Sequence, residues 1–333
     1  MNVLVIGGNR FIGHQLAFRL VTAGNRVTLL NRGALPDDLG DRVERLHGDR
    51  TTADFERLIA GRTFDAVMDF AAFRAEDTRR AAAILESRVG HYVMISSGQV
   101  YLVRDPRPVG PARESDYAGP LMAEPSEARD AKEWDYGMGK RGAEDALALA
   151  HERRGFPSTC LRIPMVNGER DYHRRLEGYL WRFLDGGPLL LPDGGTHRIR
   201  HVYGGAVARA VVRLLGDSRT FGQALNFAQE ETPTLVELLG LVAELLGAPA
   251  RFLAVPRAEL EAAGLEPVQV SPFSGRWMSF LDPARARDEF GLRHDSLRHY
   301  LDKIVSDFLN HPRATPPPGY ASRVAELRLV GTP

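Results

Sequence analysis

The sequence predicts an α/β protein built on a doubly wound parallel sheet, and two observations carry this prediction. Short apolar runs alternate with helical patterns through the first half of the chain, and a glycine-rich turn follows the first run at once. Such alternation is typical of a parallel sheet with helices on both faces. The predicted strands are 3–6, 27–30, 43–47, 66–70, 91–96 and 158–163, with helices such as 53–59 and 78–85 between them.

The first 32 residues show the most specific pattern, which runs strand, glycine turn, helix, strand. The turn consists of Gly7, Gly8, Asn9, Arg10, Phe11, Ile12 and Gly13. This is the Rossmann-type βαβ layout, in which a dinucleotide pyrophosphate binds at a helix N-terminus. A turn without a ligand is the alternative, and the flanking strands and helix count against it.

Two departures from the usual pattern add positive charge near the adenosine end of such a site. Arg10 stands where a middle glycine is usual, and Asn31 and Arg32 stand where an acidic residue would bind a ribose 2′-hydroxyl. We therefore expect NADP(H) as the cofactor, with NAD(H) less favoured.

Composition narrows the function classes. The 43 basic and 43 acidic residues cancel, which disfavours nucleic-acid binding and gives no reason to expect membrane binding. The lone cysteine, Cys160, excludes an intrachain disulfide, and we expect no metal site. No apolar run approaches the roughly 20 residues that span a bilayer. The chain begins with a core strand rather than a signal peptide, so we expect a cytoplasmic location.

The chain is expected to form two lobes and a tail. Residues 1–165 are predicted to form the NADP-binding Rossmann domain, with sheet segments returning near 200–230, and 166–310 a smaller α/β substrate lobe. Residues 311–333 are predicted to be a proline-rich surface tail. Segment 102–132 contains five prolines and is interpreted as a substrate-covering lid, with partial disorder as the alternative. After residue 164, the predicted helices are 179–184, 206–215, 234–246 and 297–309, and the predicted strands are 189–191 and 225–227.

A second cluster of motifs indicates acid–base chemistry. Ser96 and Ser97 end a predicted strand, where ligands bind in open α/β sheets. Tyr136 and Lys140 are four residues apart in a helical segment, so their side chains are neighbours. A nearby ammonium would lower the pKa of the Tyr136 phenol from its ordinary value of about 10. Ser97 could hydrogen-bond the reacting oxygen, and the three side chains would interconvert an alcohol and a carbonyl beside a nicotinamide. A surface Tyr–Lys pair is the alternative.

With these motifs, the sequence resembles the extended and atypical branch of the short-chain dehydrogenase/reductase superfamily, the NAD-dependent epimerase/dehydratase family. Within it, the chain resembles the subgroup whose turn has the pattern GGxRFIG. The resemblance covers about residues 1–310 and implies Ser97, Tyr136 and Lys140 as the catalytic residues. It also implies that Asp49 binds the adenine amino group and that 164–166 pass close to the nicotinamide amide. Besides the turn, the predicted cofactor contacts are Asn31, Arg32, Asp49, Arg50, Phe70, Ala71, Ala72, Ser96, Tyr136, Lys140, Pro164 and Val166.

The predicted function is therefore an NAD(P)-dependent oxidoreductase or epimerase/dehydratase, with a sugar nucleotide among the candidate substrates. The predicted substrate contacts are Gln99, Asn167, Arg198 and Arg200. An arginine could bind a substrate phosphate, or it could simply be solvated. Asp69 could be structural or catalytic. The resemblance implies a homodimer formed through the helix that bears Tyr136. It also includes RNA-binding chloroplast proteins, so a redox-silent nucleotide-sensing or RNA-binding protein is the alternative.

Overall fold

The computed structural model describes residues 1–331, which form helices around a central parallel sheet. The strands are β1 (Asn2–Ile6), β2 (Arg26–Asn31), β3 (Val43–His47), β4 (Phe64–Asp69), β5 (Val89–Ser97), β6 (Ser158–Ile163), β7 (Val166–Asn167), β8 (Leu189–Pro192), β9 (Val202–Tyr203), β10 (Gln223–Asn226) and β11 (Phe252–Val255). The helices are α1 (Phe11–Thr22), α2 (Ala53–Ile59), α3 (Ala75–Ile84), α4 (Gln99–Leu102), α5 (Ala128–Arg154), α6 (Arg175–Leu184), α7 (Gly204–Leu214), α8 (Leu235–Leu246), α9 (Arg257–Ala262), α10 (Pro267–Val270), α11 (Ala284–Phe290), α12 (Leu297–Asn310) and α13 (Arg323–Leu329).

Seven strands form one sheet in the order β10-β6-β5-β4-β1-β2-β3, and every neighbouring pair is parallel. The order reverses at β1, which β4 and β2 flank, as in doubly wound folds. This confirms the predicted α/β class and Rossmann-type sheet. The ends of the six predicted strands shift by at most two residues.

The apolar runs become strands because helices cover both faces of a parallel sheet. On one face, Leu4 and Ile6 of β1 belong to a buried core that includes Phe55 of α2 and Ala143 of α5. Val5 faces the opposite side, where it packs against the glycine turn. Alternate residues of one strand therefore pack against the helix layers on opposite faces of the sheet.

The chain divides into two compact units. The first consists of residues 1–164, 204–228 and 279–293, and the second of residues 165–203 and 229–278 together with the chain from His294 on. The predicted boundaries omit the return at 279–293. That segment belongs to the first unit because its Leu281 is fully buried and its helix α11 packs against β10. Within the described residues, no helix is long and apolar enough to cross a membrane.

The proline-rich segment 102–132 is held in place near its middle. The Ala112 nitrogen donates to the Phe280 carbonyl over 2.7 Å. The Ala112 carbonyl accepts from the nitrogen of Asp282 over 2.8 Å and from Nδ2 of Asn226 over 2.9 Å. A 3₁₀ turn, Glu114–Tyr117, follows, and α5 begins inside the predicted segment. The role of this segment as a lid stays a prediction.

The prediction of a surface tail is wrong for part of 311–333. Helix α13 carries Glu326, which is fully buried and bonded to Arg182 of α6 at 2.5 Å (Nη2 to Oε1) and 2.9 Å (Nε to Oε2). A buried guanidinium needs a counter-charge, and the C-terminal helix supplies it.

Candidate active site

The turn between β1 and α1 has the shape of an anion cradle. Gly7 has φ of +83°, a conformation that favours glycine. A Cβ on Gly8 would lie 2.7 Å from a methyl of Val5, and a Cβ on Gly13 would lie 2.7 Å from the Gly7 carbonyl oxygen. The glycines thus let the first turn of α1 approach the end of β1. Phe11, Ile12 and Gly13 are its first residues, and their backbone N–H groups have no earlier turn to bond to. The cradle therefore fits a pyrophosphate.

The predicted adenosine contacts lie around the end of β2. The Asn31 side chain accepts a 2.8 Å hydrogen bond from the Gly33 nitrogen, and Arg32 is exposed. Asp49 accepts hydrogen bonds from the Thr51 nitrogen and hydroxyl, which lower the pKa of this carboxyl, and the charge of Arg32 contributes in the same direction. Asn31, Arg32 and Asp49 therefore lie in one polar neighbourhood. The remaining turn residues are polar as well: Arg10 is exposed, and Asn9 donates to the Leu35 carbonyl over 3.0 Å.

The loop after β4 passes beside the glycine turn. The nitrogen of Phe70 donates to the Ile6 carbonyl, and a Cβ on Gly7 would lie 3.4 Å from the Cβ of Phe70. Asp69 fixes this loop, since its carboxylate accepts from the Ala71 nitrogen over 2.8 Å and from the Tyr92 hydroxyl over 2.6 Å. These bonds give Asp69 a structural role in the loop.

The Arg50 side chain is engaged inside the protein, and the role of Arg50 toward a cofactor stays a prediction. Its guanidinium is buried and lies 2.9 Å from the Asp69 carboxylate, and it also donates to the Asp77 carbonyl over 3.1 Å. A charge so deeply buried is stabilised by these partners, so Arg50 supports the loop from behind.

The two serines at the end of β5 point in different directions because side chains alternate along a strand. The Ser96 hydroxyl is buried and donates to Oε1 of Glu144, so this hydroxyl is engaged inside the protein, and the role of Ser96 toward a cofactor stays a prediction. Ser97 is partly exposed, and its hydroxyl accepts from the Gln99 nitrogen over 3.2 Å. Of the two hydroxyls, the one on Ser97 is the one open to a ligand.

Helix α5 carries Tyr136 and Lys140, and two glycines between them allow it to pack closely. A Cβ on Gly137 would lie 2.9 Å from the Gln99 carbonyl oxygen, and a Cβ on Gly139 would lie 2.5 Å from that of Phe73. The sequence between the tyrosine and the lysine thus sets α5 directly against the segments that follow β4 and β5.

Lys140 is buried where β4 and β5 end. Its Nζ donates to the carbonyls of Ala72 over 2.7 Å and Ile95 over 2.9 Å, and lies 5.9 Å from the centre of the Tyr136 ring. Burial lowers the pKa of Lys140 to about 8, and the carboxylates of Asp69 and Glu144 partly offset this effect. An ammonium has three donors, of which these carbonyls take two.

The region that holds these motifs matches a known protein family. The model of the NAD dependent epimerase/dehydratase family matches residues 3–228. The chain belongs to this family. The matched region contains the glycine turn, β5 and the helix with Tyr136 and Lys140, which confirms the family that the motifs indicated. The GGxRFIG subgroup stays a prediction.

Solved structures show the same fold as this family member. A dTDP-glucose 4,6-dehydratase from Bacillus anthracis in complex with NAD is 17% identical with a TM-score of 0.72, and the match covers 94% of this chain and 97% of that one. A UDP-glucose 4-epimerase from Thermotoga maritima with UDP-glucose is 20% identical with a TM-score of 0.70, over 94% and 100% of the two chains. At these identities, the likeness concerns the fold alone.

A curated relative from Arabidopsis thaliana has a different kind of name, "chloroplast stem-loop binding protein of 41 kDa b". It is 27% identical over an alignment of 265 residues, and the match covers 74% of this chain. The match spans only 64% of the length of that relative.

Two side chains that the motifs missed lie beside the catalytic candidates. The ring of Phe73 is 4.7 Å from Nζ of Lys140 and 6.3 Å from the Tyr136 ring, and it is about half exposed. Glu133, one turn before Tyr136 on α5, accepts a 2.5 Å hydrogen bond from Nε2 of Gln99. The only signals in the sequence were the position of Phe73 next to the Phe70–Ala72 loop and the i, i+3 spacing of Glu133 and Tyr136.

The other predicted contacts lie beyond β6. Pro164 ends the first unit, and Val166 and Asn167 form β7 in the second unit. Asn167 is buried and bonded to His201 at 2.9 Å (Nδ2 to Nδ1), so its amide is engaged in the interior of that unit. Elsewhere in the second unit, Arg198 donates to the Thr232 carbonyl over 2.8 Å and Arg200 to the Glu230 carbonyl over 3.4 Å. The roles of all five residues toward a ligand stay predictions.

Proposed function

We propose that this chain is a nicotinamide-dinucleotide-dependent oxidoreductase or epimerase/dehydratase that acts at an alcohol or carbonyl carbon. The observation that carries the proposal is the packing of α5, in which Lys140 bonds the ends of β4 and β5 and Gly137, the residue after Tyr136, lies against the Gln99 carbonyl, two residues after Ser97. Family membership supports it. The glycine turn would hold the pyrophosphate, and the loop 70–72 would flank the dinucleotide.

The three side chains would share the acid–base work. When bound, a nicotinamide supplies a site that accepts or returns a hydride. Tyr136 would take the proton from a substrate hydroxyl, or return it to the carbonyl oxygen. The positive charge of Lys140 favours the phenolate form of Tyr136, and its remaining donor would bind a ribose hydroxyl. Ser97 would donate a hydrogen bond to the substrate oxygen.

Tyr136→Phe tests this proposal, because it removes the proton-transfer group and keeps the ring. Turnover is measured on a panel of sugar nucleotides and small ketones, by nicotinamide absorbance and by NMR of the products. We expect a loss of about 10²–10⁴-fold on any substrate that the wild type converts. Turnover within about threefold of wild type would contradict the role of Tyr136.

Sugar nucleotides are the substrate class that we favour. The similar solved structures named above are a dTDP-glucose dehydratase and a UDP-glucose epimerase. The Glu133 carboxylate, held by Gln99, offers hydrogen-bond acceptors to a hydroxyl-rich substrate beside Tyr136. We expect Glu133→Gln to raise KM for a sugar nucleotide more than for a simple ketone.

NADP(H) is the cofactor form that we propose, with NAD(H) as the alternative. β2 ends in Asn31 and is followed by Arg32, so the strand end itself lacks the acidic residue that usually binds a ribose 2′-hydroxyl, and a guanidinium favours a 2′-phosphate. The dehydratase structure contains NAD. Titration of NADPH and NADH separates the two forms. Equal affinities, or unchanged NADPH affinity in Arg32→Ala, would remove the argument for NADP(H).

A redox-silent, stem-loop-binding protein is the second candidate, and the name of the Arabidopsis relative is the observation that favours it. This candidate predicts RNA binding that weakens steeply with salt and no turnover on the substrate panel. The balance of 43 basic and 43 acidic residues counts against it. A homodimer and a cytoplasmic location stay predictions; sedimentation tests the first.

A further inference from the structure

Helix α5 carries two buried charged side chains on one face, four residues apart. Lys140 and Glu144 are 2% and 5% exposed. They hold consecutive residues of β5: Lys140 donates to the Ile95 carbonyl over 2.9 Å, and Glu144 accepts from the Ser96 hydroxyl. Ser97 comes next, so the position of its backbone depends on both contacts.

The Glu144 carboxylate is itself held by Arg162 of β6. Nε of Arg162 lies 3.1 Å and 3.0 Å from the two carboxylate oxygens, and Nη2 lies 2.5 Å from Oε2. Arg162 is also the cross-strand partner of Ser96 in the β5–β6 ladder. Two strands and one helix therefore meet at a single buried ion pair.

Hydrogen bonds connect the same ion pair to the segment that follows Ser97. Nη1 of Arg162 donates to the Tyr101 hydroxyl over 2.7 Å, and this hydroxyl donates to Oδ1 of Asn226 over 2.8 Å. The Tyr117 ring covers the guanidinium at 4.4 Å. Tyr101 belongs to α4, which begins two residues after Ser97, so the network fixes the chain before and after the serine. A buried network with all its members bonded is rigid.

The Glu144 carboxylate of the pair also contributes to the charge around Lys140. The charged or titratable groups with the largest effects on the pKa of Lys140 are Asp69 at the end of β4, Glu144 on its own helix, the Cys160 thiol on β6 and Arg50 after β3. Burial lowers the pKa of Lys140 to about 8, the two carboxylates and the thiol raise it, and Arg50 lowers it further. Loss of either Glu144 or Arg162 would leave its partner as an uncompensated buried charge near Lys140.

We propose that Glu144 and Arg162 form a positioning pair, which fixes the segment that bears Ser97 and balances the charge beside Lys140 without touching the substrate. The proposal rests on the proposed function, in which Ser97 and Lys140 act on substrate and cofactor. It predicts that loss of Glu144 and loss of Arg162 shift the pKa of Lys140 in opposite directions. A merely structural role does not predict this.

The chain offers a direct readout because it contains only three lysines, Lys132, Lys140 and Lys303. The full chain is labelled with ¹³C,¹⁵N-lysine, Lys140→Met assigns the resonance, and its titration is followed by NMR without substrate. We expect Glu144→Gln to move the Lys140 midpoint to lower pH by roughly one pH unit, and Arg162→Met to move it to higher pH. An unchanged midpoint in both variants overturns the proposal.

Asp145→Asn is the matched control, because it removes a neighbouring carboxylate of α5 that bonds Tyr117 rather than Arg162 or Ser96. It should leave the Lys140 midpoint in place. If one variant of the pair fails to fold, the direction in which the Lys140 midpoint shifts in the other variant supports or overturns the proposal.

Ser96→Ala keeps both charges and tests positioning alone. We expect an unchanged Lys140 midpoint and a kcat lowered about tenfold, since small misplacements of reacting groups are costly. An unchanged kcat in Ser96→Ala overturns the positioning role. The NMR titration needs no turnover. If the protein shows no activity but the Lys140 midpoint shifts in opposite directions in the two variants, the proposed function is contradicted and the positioning pair is still supported.

Discussion

Gly139 lies against the carbonyl oxygen of Phe73, and a Cβ at position 139 would be only 2.5 Å from that oxygen. Gly139 is the residue before Lys140, so this close approach fixes the position of the lysine relative to the ends of β4 and β5. The carbonyl is backbone and cannot rotate away, so any side chain at this position must displace the helix or the loop.

We therefore expect Gly139→Ala to lower kcat at least tenfold although no catalytic group is removed, because misplacement of about 1 Å is costly. Gly142→Ala on the same helix is the matched control, since its Cβ would lie 3.4 Å from the Ala75 side chain. Alanine also favours helix over glycine, so the control should be as stable as the wild type or more so. Steady-state kinetics and thermal unfolding of both variants check this, and equal kcat values would contradict it.

The charge of Lys140 should make cofactor binding depend on pH. Burial lowers the pKa of Lys140 to about 8, so the ammonium is present below that pH and lost above it. If the ammonium donates to the ribose, NADPH affinity should fall as pH rises through about 8. Fluorescence titration at several pH values measures it. Lys140→Met should bind weakly with little pH dependence in this range, whereas Lys132→Met should retain the wild-type profile.

The sequence could predict the parts of the site that depend on local patterns. The glycine turn, the strand end at Ser97 and the spacing of Tyr136 and Lys140 are set by residues close together in the chain. The inward direction of the Ser96 and Arg50 side chains could not be predicted, because it depends on a distant partner. Glu144 is 48 residues from Ser96, and Asp77 is 27 residues from Arg50.

The missed residues share the same cause. Phe73 and Glu133 are ordinary residue types, and their places beside the catalytic candidates come from contacts with Lys140 of α5 and Gln99 of α4. The buried C-terminal helix depends on the contact between Arg182 and Glu326, which are 144 residues apart. Single-sequence patterns carry no information on such pairs, so these contacts required the structure.

Glu326 should be essential to the stability of the second unit. Its partner Arg182 is 1% exposed, and removal of one half of a buried ion pair leaves an uncompensated charge. We expect Glu326→Gln to lower the free energy of unfolding by about 3–5 kcal/mol. The exposed pair of Arg298 and Glu244 (Nη2 to Oε1, 2.8 Å) is the control, and Glu244→Gln should lower the free energy of unfolding far less, because solvent screens an exposed pair. Urea unfolding measures both, and equal losses would contradict this prediction.

His201 should make the protein sensitive to acid. Burial lowers the pKa of His201 from 6.5 to about 3, and the charges of Arg175 and His197 act in the same direction. Between these two pH values, the unfolded chain binds a proton that the folded chain does not. The contribution of the neutral His201 to the free energy of unfolding is therefore fully present above pH 6.5 and is lost as the pH is lowered toward 3. At pH 5, the expected loss from one such histidine is about 2 kcal/mol.

His201→Gln removes this proton from the balance, so its unfolding free energy should fall less between pH 7 and pH 5 than that of the wild type. Urea unfolding at the two pH values gives the difference, which does not depend on the absolute stability of the variant. The exposed His311 supplies the control for loss of a histidine as such. A pH dependence in His201→Gln equal to that of the wild type would show that His201 carries a proton in the folded state. Among the described residues, the buried His201 Nε2 has no hydrogen-bond partner, which argues against that, because a second N–H on the ring would be left unbonded there.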